Sequence, residues 1–209
     1  MTAGELAQQL KTRFGDLISA PTEFRGEITV HLSDADCIAE ICQFTKKDLG
    51  FDYLVDISSV DNYGEDPRWT VVYHLYGYGH HCALRIKTDV GEEESELPTV
   101  TSVWRTANWH EREVYDMMGI TFRDHPDLRR ILMWDGYPYF PLRKDFPLAG
   151  KPSNVPEVAF SNSAPEEGGP FVTVSGGKSA IEREPRVRVP EIQDPKEPVA
   201  PKSPTQENA

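Results

Sequence analysis

Three shortages narrow the possibilities for this 209-residue chain before any motif is considered. There are only three cysteines, Cys37, Cys42 and Cys82, and no two stand as C-x-x-C. A disulfide framework, a zinc ribbon and an iron–sulfur ligand set all need more thiols or closer spacing. Reduced thiols in a cytosolic compartment are therefore expected. Long apolar runs are missing too. Nothing approaches the about 20 residues that cross a bilayer as a helix, and the N-terminus, M-T-A-G-E-L-A-Q-Q-L-K-T-R-F, has no apolar stretch of the kind that marks a secretory signal. Positive charge is in deficit. Lys and Arg total 22 against 34 Asp and Glu, a net charge of −12, which argues against nucleic acid as a partner and in favour of a basic protein surface. Hydrophobic residues reach only 38%, low for a chain packed from end to end.

Complete catalytic motifs are also absent. A zincin helix needs H-E-x-x-H, and after His110-Glu111 the second histidine position holds Val114. Gly176-Gly177-Lys178-Ser179 has the end of a phosphate-binding loop, but Val172 stands where its first glycine belongs. Gly77-Tyr78-Gly79 is half a dinucleotide fingerprint and reads as a hairpin turn. No G-x-S-x-G occurs. His80 and His81 are neighbours that would face opposite sides of a strand, so they read as turn residues, and His74 reads as a sheet histidine.

What is present is a patterned first part and a proline-rich second. Leu6, Leu10 and Phe14 predict a helix over 5–14. Alternating Ile28, Val30 and Leu32 predict a strand over 24–32. Ser33 is placed to cap a helix over 34–49 that buries Ile38, Ile41 and Phe44, with Lys46, Lys47 and Gly50 at its end. Strands follow over 51–60, 68–76 and 81–88, the last two joined through the glycines of the 77–79 turn. Two helices are then expected, one over 99–108 capped by Thr99 or Thr101, and one over 110–118 stopped by Gly119. Strands that cluster and pair locally predict an α+β fold, a mainly antiparallel sheet with helices on one face. Residues 1–148 form that domain. Ten of the 17 prolines fall in 151–209, a composition that predicts an extended, partly disordered tail over 149–209, with F-V-T-V at 171–174 as its one apolar island.

The densest chemistry lies in 109–147, W-H-E-R-E-V-Y-D-M-M-G-I-T-F-R-D-H-P-D-L-R-R-I-L-M-W-D-G-Y-P-Y-F-P-L-R-K-D-F-P. Arg112 and Asp116, four apart, are placed to pair on one helix face. Arg129 and Arg130 stand beside an apolar triplet and near Trp134, Tyr137, Tyr139 and Phe140. Arginines and aromatics together suit a protein interface. On this reading Arg129→Glu or Arg130→Glu would impair assembly and leave the isolated fold nearly intact. A metal hydrolase built on His110, Glu111, Glu113 and His125 is the reading from another class.

E-R-E-V-Y-D-M-M-G-I-T-F-R-D-H-P-D-L-R-R-I-L-M, followed by P-L-R-K-D-F-P, resembles the signature of the thirty-kilodalton subunit family of respiratory complex I. With Y-L-V-D-I-S-S-V-D at 53–61, the resemblance spans 6–147. Relatives often carry glycine where this chain has Asp124, and an aromatic where it has Met118. The resemblance implies an α+β subunit that carries no cofactor and is not itself catalytic. It would belong to the hydrophilic arm of a proton-translocating NADH-quinone oxidoreductase whose FMN, iron–sulfur clusters, NADH and quinone are bound elsewhere. The implied partners are the D-type subunit homologue that forms part of the quinone site and the neighbouring iron–sulfur subunits. The implied location is peripheral, on the cytoplasmic face of the bacterial inner membrane, with membrane attachment only through the complex. The residues expected to meet those partners are Glu111, Arg112, Glu113, Asp116 and His125, then Asp127, Arg129 and Arg130, and finally Arg143, Lys144 and Asp145. A homologous subunit of a membrane-bound hydrogenase, or of a ferredoxin- or deazaflavin-linked complex, is the near alternative.

Overall fold

The structure, a computed structural model, describes residues 1–147 apart from Glu94 and Asp135; the proline-rich tail, its 171–174 island and the G-G-K-S run lie outside the described residues. Helix α1 (Ala3–Phe14) opens on a capping box in which Thr2 and Glu5 satisfy each other's main-chain N–H, and it buries Leu6, Ala7 and Leu10. The strand predicted over 24–32 is instead two, β1 (Thr22–Phe24) and β2 (Glu27–Leu32). Arg25 and Gly26 between them both have positive φ, 54° and 81°. That is the backbone of a tight hairpin turn, which reverses the chain where the alternation of β2 alone predicts continuation. The next helix also starts later than predicted. Asp34, not Ser33, is the cap and opens a short 3₁₀ turn (Ala35–Cys37), and α2 then runs over Ile38–Lys47. Ser33 is drawn away because its N–H and hydroxyl both bond the Leu17 carbonyl.

Strands β3 (Tyr53–Asp61), β4 (Trp69–Gly77) and β5 (Cys82–Val90) complete a sheet ordered β1-β2-β5-β4-β3. All its pairings are antiparallel except β2 with β5, which is parallel. Gly77 pairs with Cys82, and in the loop between them the left-handed backbone falls on His81 (φ 50°), not on the glycines from which the turn is predicted. The pleat places Val30, Leu32, Leu84, Ile86, Leu75, Tyr73, Leu54 and Ile57 on one buried face. Leu6, Leu10, Ile38, Ile41, Val114 and Met118 from three helices join the same core, so the helices cover that face. The opposite face carries Thr29, His31, His74, Arg85, Lys87 and Asp89, all half-buried.

After β5 the chain makes β6 (Glu96–Pro98), helix α3 (Ala107–Met118) and β7 (Thr121–Arg123), with β6 and β7 paired in parallel. The helix predicted over 99–108 is replaced by turns, closed by bonds such as Trp104 N–H to the Val100 carbonyl at 3.0 Å. The Thr99 hydroxyl accepts the Thr101 N–H and donates to Glu111, closing a turn where a helix is predicted. Gly119 stops α3 in the left-handed conformation, φ 78°. Asp124, the residue standing where relatives often have glycine, also has positive φ, 63°.

Candidate functional site

Helix α3 presents Asp116 inward, fully buried. A buried carboxylate must be neutralised and hydrogen-bonded to remain charged, and the segment after β7 supplies both. Asp116 Oδ2 accepts three consecutive main-chain N–H groups, from Ile131, Leu132 and Met133, at 3.0, 2.7 and 2.8 Å. Its Oδ1 takes Arg130 Nη1 at 2.6 Å. Burial alone would raise its pKa, but these four donors outweigh it and hold the carboxyl below its ordinary value. The predicted pairing of Arg112 with Asp116 is therefore not made. Arg112 lies instead under the returning chain and donates to the carbonyls of Arg129 (3.0 Å) and Arg130 (3.2 Å). One helix thus grips both kinds of main-chain group in the irregular segment: a carboxylate takes its N–H groups and a guanidinium takes its carbonyls.

A second set of contacts fastens the far end of that segment. Arg143 Nε donates to the Met118 carbonyl at 2.6 Å, and the Leu142 N–H donates to the Met117 carbonyl at 3.1 Å, so two carbonyls left open at the end of α3 are used. The Arg143 guanidinium also lies over Phe140 and Trp69, 4.4 and 5.0 Å from the ring centroids. Gly119 is the residue against which Arg143 and Phe140 pack: a Cβ there would lie 2.7 Å from Phe140 Cε2 and would collide with Arg143 Nη2. Farther on, buried Asp61 takes Arg68 Nε and Nη2 at 3.0 and 3.1 Å and the Lys144 N–H at 2.7 Å. Burial works to raise the Asp61 pKa, but the Arg68 and Lys144 bonds leave it lowered. Arg68 also reaches Glu92 (2.5 Å) and Asp145 (3.4 Å), and its own pKa is raised, chiefly by its bonds to Asp61. Between the two anchor sets runs a ladder of rings, Trp134–Tyr137–Tyr139–Phe146, at centroid spacings of 4.5, 5.6 and 6.0 Å.

Glu111 occupies a third position. It is fully buried and accepts from the Thr99 hydroxyl (2.5 Å) and the Val100 N–H (2.7 Å). The buried His125 side chain stands 3.7 Å away through Nε2. Burial dominates here: despite the two hydrogen bonds, the Glu111 carboxyl is pushed up from 4.5 to about 7.

The eleven expected interface residues therefore divide. Glu111, Arg112 and Asp116 are buried within the chain's own fold, and Arg130, with a side chain only 11% exposed, is almost so. Arg112, Asp116 and Arg130 hold 124–147 in place, and Glu111 holds the 99–100 turn. His125 and Arg143 are likewise engaged with α3 and its carbonyls. Glu113, Asp127, Arg129, Lys144 and Asp145 lie on the surface. Arg129, 68% exposed, pairs with Asp127 of its own turn. The four residues of the hydrolase reading do not assemble. His110 pairs with Asp56 at 3.3 Å and Glu113 points to solvent, while Glu111 and His125 are enclosed together. Among the described residues no three His, Cys, Asp or Glu side chains converge as a metal centre would require, and no helix is long and apolar enough to cross a membrane.

The contributions of Asp61, Arg68 and Thr99 are invisible in the sequence, because a lone acid in a strand and a threonine before a helix carry no spacing signal. Large apolar side chains project among the surface charges, three from the segment and Trp109 from α3. Trp109, Leu132 and Leu142 are 60, 61 and 58% exposed, and Trp134 is 39% exposed.

Comparison with known proteins agrees with this arrangement. The family described as "Respiratory-chain NADH dehydrogenase, 30 Kd subunit" matches residues 31–152. The NADH-quinone oxidoreductase C subunit of Geotalea uraniireducens is 49% identical over 142 residues, which cover 68% of this chain and 86% of the relative. The solved structure of the trypsin-resistant fragment (1-134) of Nqo5 is 32% identical, covers 61% of this chain and all of the fragment, and has a TM-score of 0.52. A chain of the membrane-bound sulfane sulfur reductase, an archaeal respiratory membrane complex, shares the fold at 22% identity with a TM-score of 0.61, covering 69% of this chain and 85% of that one.

Proposed function

The chain belongs to the respiratory-chain NADH dehydrogenase 30 kDa subunit family, and from that premise we propose that it is a non-catalytic structural subunit of the hydrophilic arm of a proton-translocating NADH-quinone oxidoreductase. It docks beside the D-type homologue at the quinone site and the neighbouring iron–sulfur subunits, peripheral to the cytoplasmic face of the inner membrane, and supports electron transfer by holding that module together. One observation carries this reading. The irregular segment 124–147 is pinned by buried charges at Asp116, Arg112 and Asp61 and by half-buried Arg143, while Leu132, Trp134 and Leu142 project from it. Pinning removes most of the ordering cost that a loop would otherwise meet on binding. Large apolar side chains on a rigid frame are the composition of an interface centre. Exposed Glu113, Asp127, Arg129, Lys144 and Asp145 form a polar surround for those anchors.

Affinity purification of the tagged full-length protein from detergent-solubilised membranes tests the reading. Recovery of the other hydrophilic-arm subunits in stoichiometric amounts is the expected result, and recovery as a free monomer overturns it. The fold also recurs in a sulfane sulfur reductase, so the same purification distinguishes the second reading, a hydrogenase-type or ferredoxin-linked complex: a nickel–iron or ferredoxin-accepting subunit among the recovered chains would replace the NADH-oxidising flavoprotein.

A further inference from the structure

Glu111 is a carboxyl group enclosed by side chains from α2, β4 and the turns before and after α3, while β3, which also packs on α3, pairs its Asp56 with His110. The Cys42 thiol faces it from α2 and the buried, unpartnered Tyr73 hydroxyl from β4. Thr99, Val100 and Thr101 face it from the preceding turn, and His125 from the following segment. Arg112 and Asp127 act on His125.

The tautomer of that histidine is fixed by its neighbours. The Asp127 N–H can only donate, and it bonds His125 Nδ1 at 3.0 Å, so Nδ1 is the unprotonated nitrogen. The ring proton is on Nε2, directed at the Asn108 carbonyl (3.3 Å) with Glu111 Oε2 just beyond at 3.7 Å. Burial lowers the His125 pKa, so the ring is neutral at pH 7.

The threonines let Glu111 be satisfied in either charge state. When it is ionised, Oε1 accepts the Val100 N–H and Oε2 accepts the Thr99 hydroxyl. When it is protonated, Oε1 remains the acceptor for Val100 and the new O–H donates to Thr99 Oγ1. The Thr99 hydrogen then turns to Thr101 Oγ1, 3.0 Å away. No atom moves beyond a hydroxyl rotation, and the protonated form leaves no charge in the core.

We propose that Thr99, Thr101, Glu111 and His125 form a proton-tightened clasp joining the 99–101 turn and the start of 124–147 to helix α3. Proton uptake at Glu111 closes it, and proton loss loosens it. The sign follows from linkage. An opened clasp exposes Glu111 to water, where its affinity for a proton returns to the ordinary carboxyl value, so opening releases the proton and becomes easier as pH rises. The inference concerns the chain's own fold and stands apart from the docking reading.

Two measurements on the full-length chain test it. In ¹³C spectra of protein labelled at glutamate carboxyls, one carboxyl is expected to titrate with a midpoint about 7; midpoints that all fall below 5 would overturn the proposal. Amide hydrogen exchange at Val100, corrected for intrinsic rate, should report an opening equilibrium that rises toward tenfold per pH unit between pH 5 and 7 and then levels. Glu111→Gln keeps the carbonyl and supplies an N–H donor in place of the acid, so its opening should not vary with pH. Identical pH dependence in the wild type and Glu111→Gln would refute the clasp.

Discussion

Asp116 and Arg130, 14 residues apart, meet at 2.6 Å inside the fold, and the same carboxylate closes on three successive main-chain N–H groups of the apolar triplet that follows Arg130. The relationship turns a charged motif into the internal fastening of an irregular segment. Breaking it leaves one buried charge without its partner, which typically costs about 3–5 kcal/mol. Asp116→Ala and Arg130→Glu should each lower the stability of the isolated full-length chain by about that amount, read as the urea midpoint. Arg129→Glu, at an exposed position, should shift it by less than about 0.5 kcal/mol. Equal, small effects at 129 and 130 would show that the buried pair contributes nothing. The expectation that Arg130→Glu spares the fold is thus replaced by its opposite.

Gly119 meets two demands at once. Its φ of 78° belongs to the left-handed region, and the space a Cβ would take is filled by Phe140 and Arg143. Gly119→Ala should therefore destabilise by about 2–4 kcal/mol, combining backbone strain with overpacking. Asn at this position relieves the backbone term but not the clash. Near-equal melting temperatures for Gly119→Ala and the wild type would contradict the packing described.

Acid should loosen the same fastenings. Asp116 and Asp61 both titrate below their ordinary 3.8 in the folded chain, because their donors outweigh burial. A carboxyl whose folded pKa is depressed stabilises the fold fully above its unfolded pKa and loses that contribution as pH falls through the folded one. Stability should accordingly drop from pH 4 downward, and the drop should be smaller in Asp61→Asn. A stability curve of the same shape in wild type and Asp61→Asn below pH 4 would remove Asp61 from the account. Glu111 acts with the opposite sign and over a different window, between pH 4.5 and about 7, where its raised pKa makes the fold less stable as pH rises.

Periodic apolar residues make the elements legible. Ile28, Val30 and Leu32 mark β2, and Ile38 with Ile41 marks α2, because burial on one face leaves a spacing that can be read directly. The hairpin at Arg25-Gly26 and the missing helix over 99–108 are illegible for a different reason. The hairpin rests on positive φ at a non-glycine residue, Arg25, and the turns over 99–106 on a bond with a remote partner, since Thr99 depends on Glu111, 12 residues away. The same limit governs the site. The strip's residue types announce a partner surface, but whether a charge faces outward or inward depends on which donors the returning chain places nearby. Arg129 and Arg130 are adjacent and look alike in sequence, yet one is solvated and the other is held under the segment. Asp124 is the exception in which a local departure is readable: a residue where relatives often carry glycine does adopt positive φ.

If the charges inside the strip fasten it, the binding energy must come from what projects. Leu132, Trp134 and Leu142 are large, apolar and exposed, and their backbone is fixed by Asp116 and by the end of α3. Truncating a central anchor typically costs an interface about 2 kcal/mol or more, about 30-fold in affinity, whereas removing an exposed apolar side chain costs the free fold little. The double variant Leu132→Ser with Leu142→Ser should therefore leave the urea midpoint of the isolated chain within about 0.5 kcal/mol of wild type, whereas Trp134→Ala also removes the ring contact with Tyr137 and should cost the fold about 1 kcal/mol or more. The assembled complex on a native gel should fall severalfold. Glu113→Gln and Arg129→Gln, at the polar surround, should change assembly less, and mainly at low salt. Intact assembly in the Trp134 and leucine variants, with a normal fold, would place the docking surface elsewhere on the molecule.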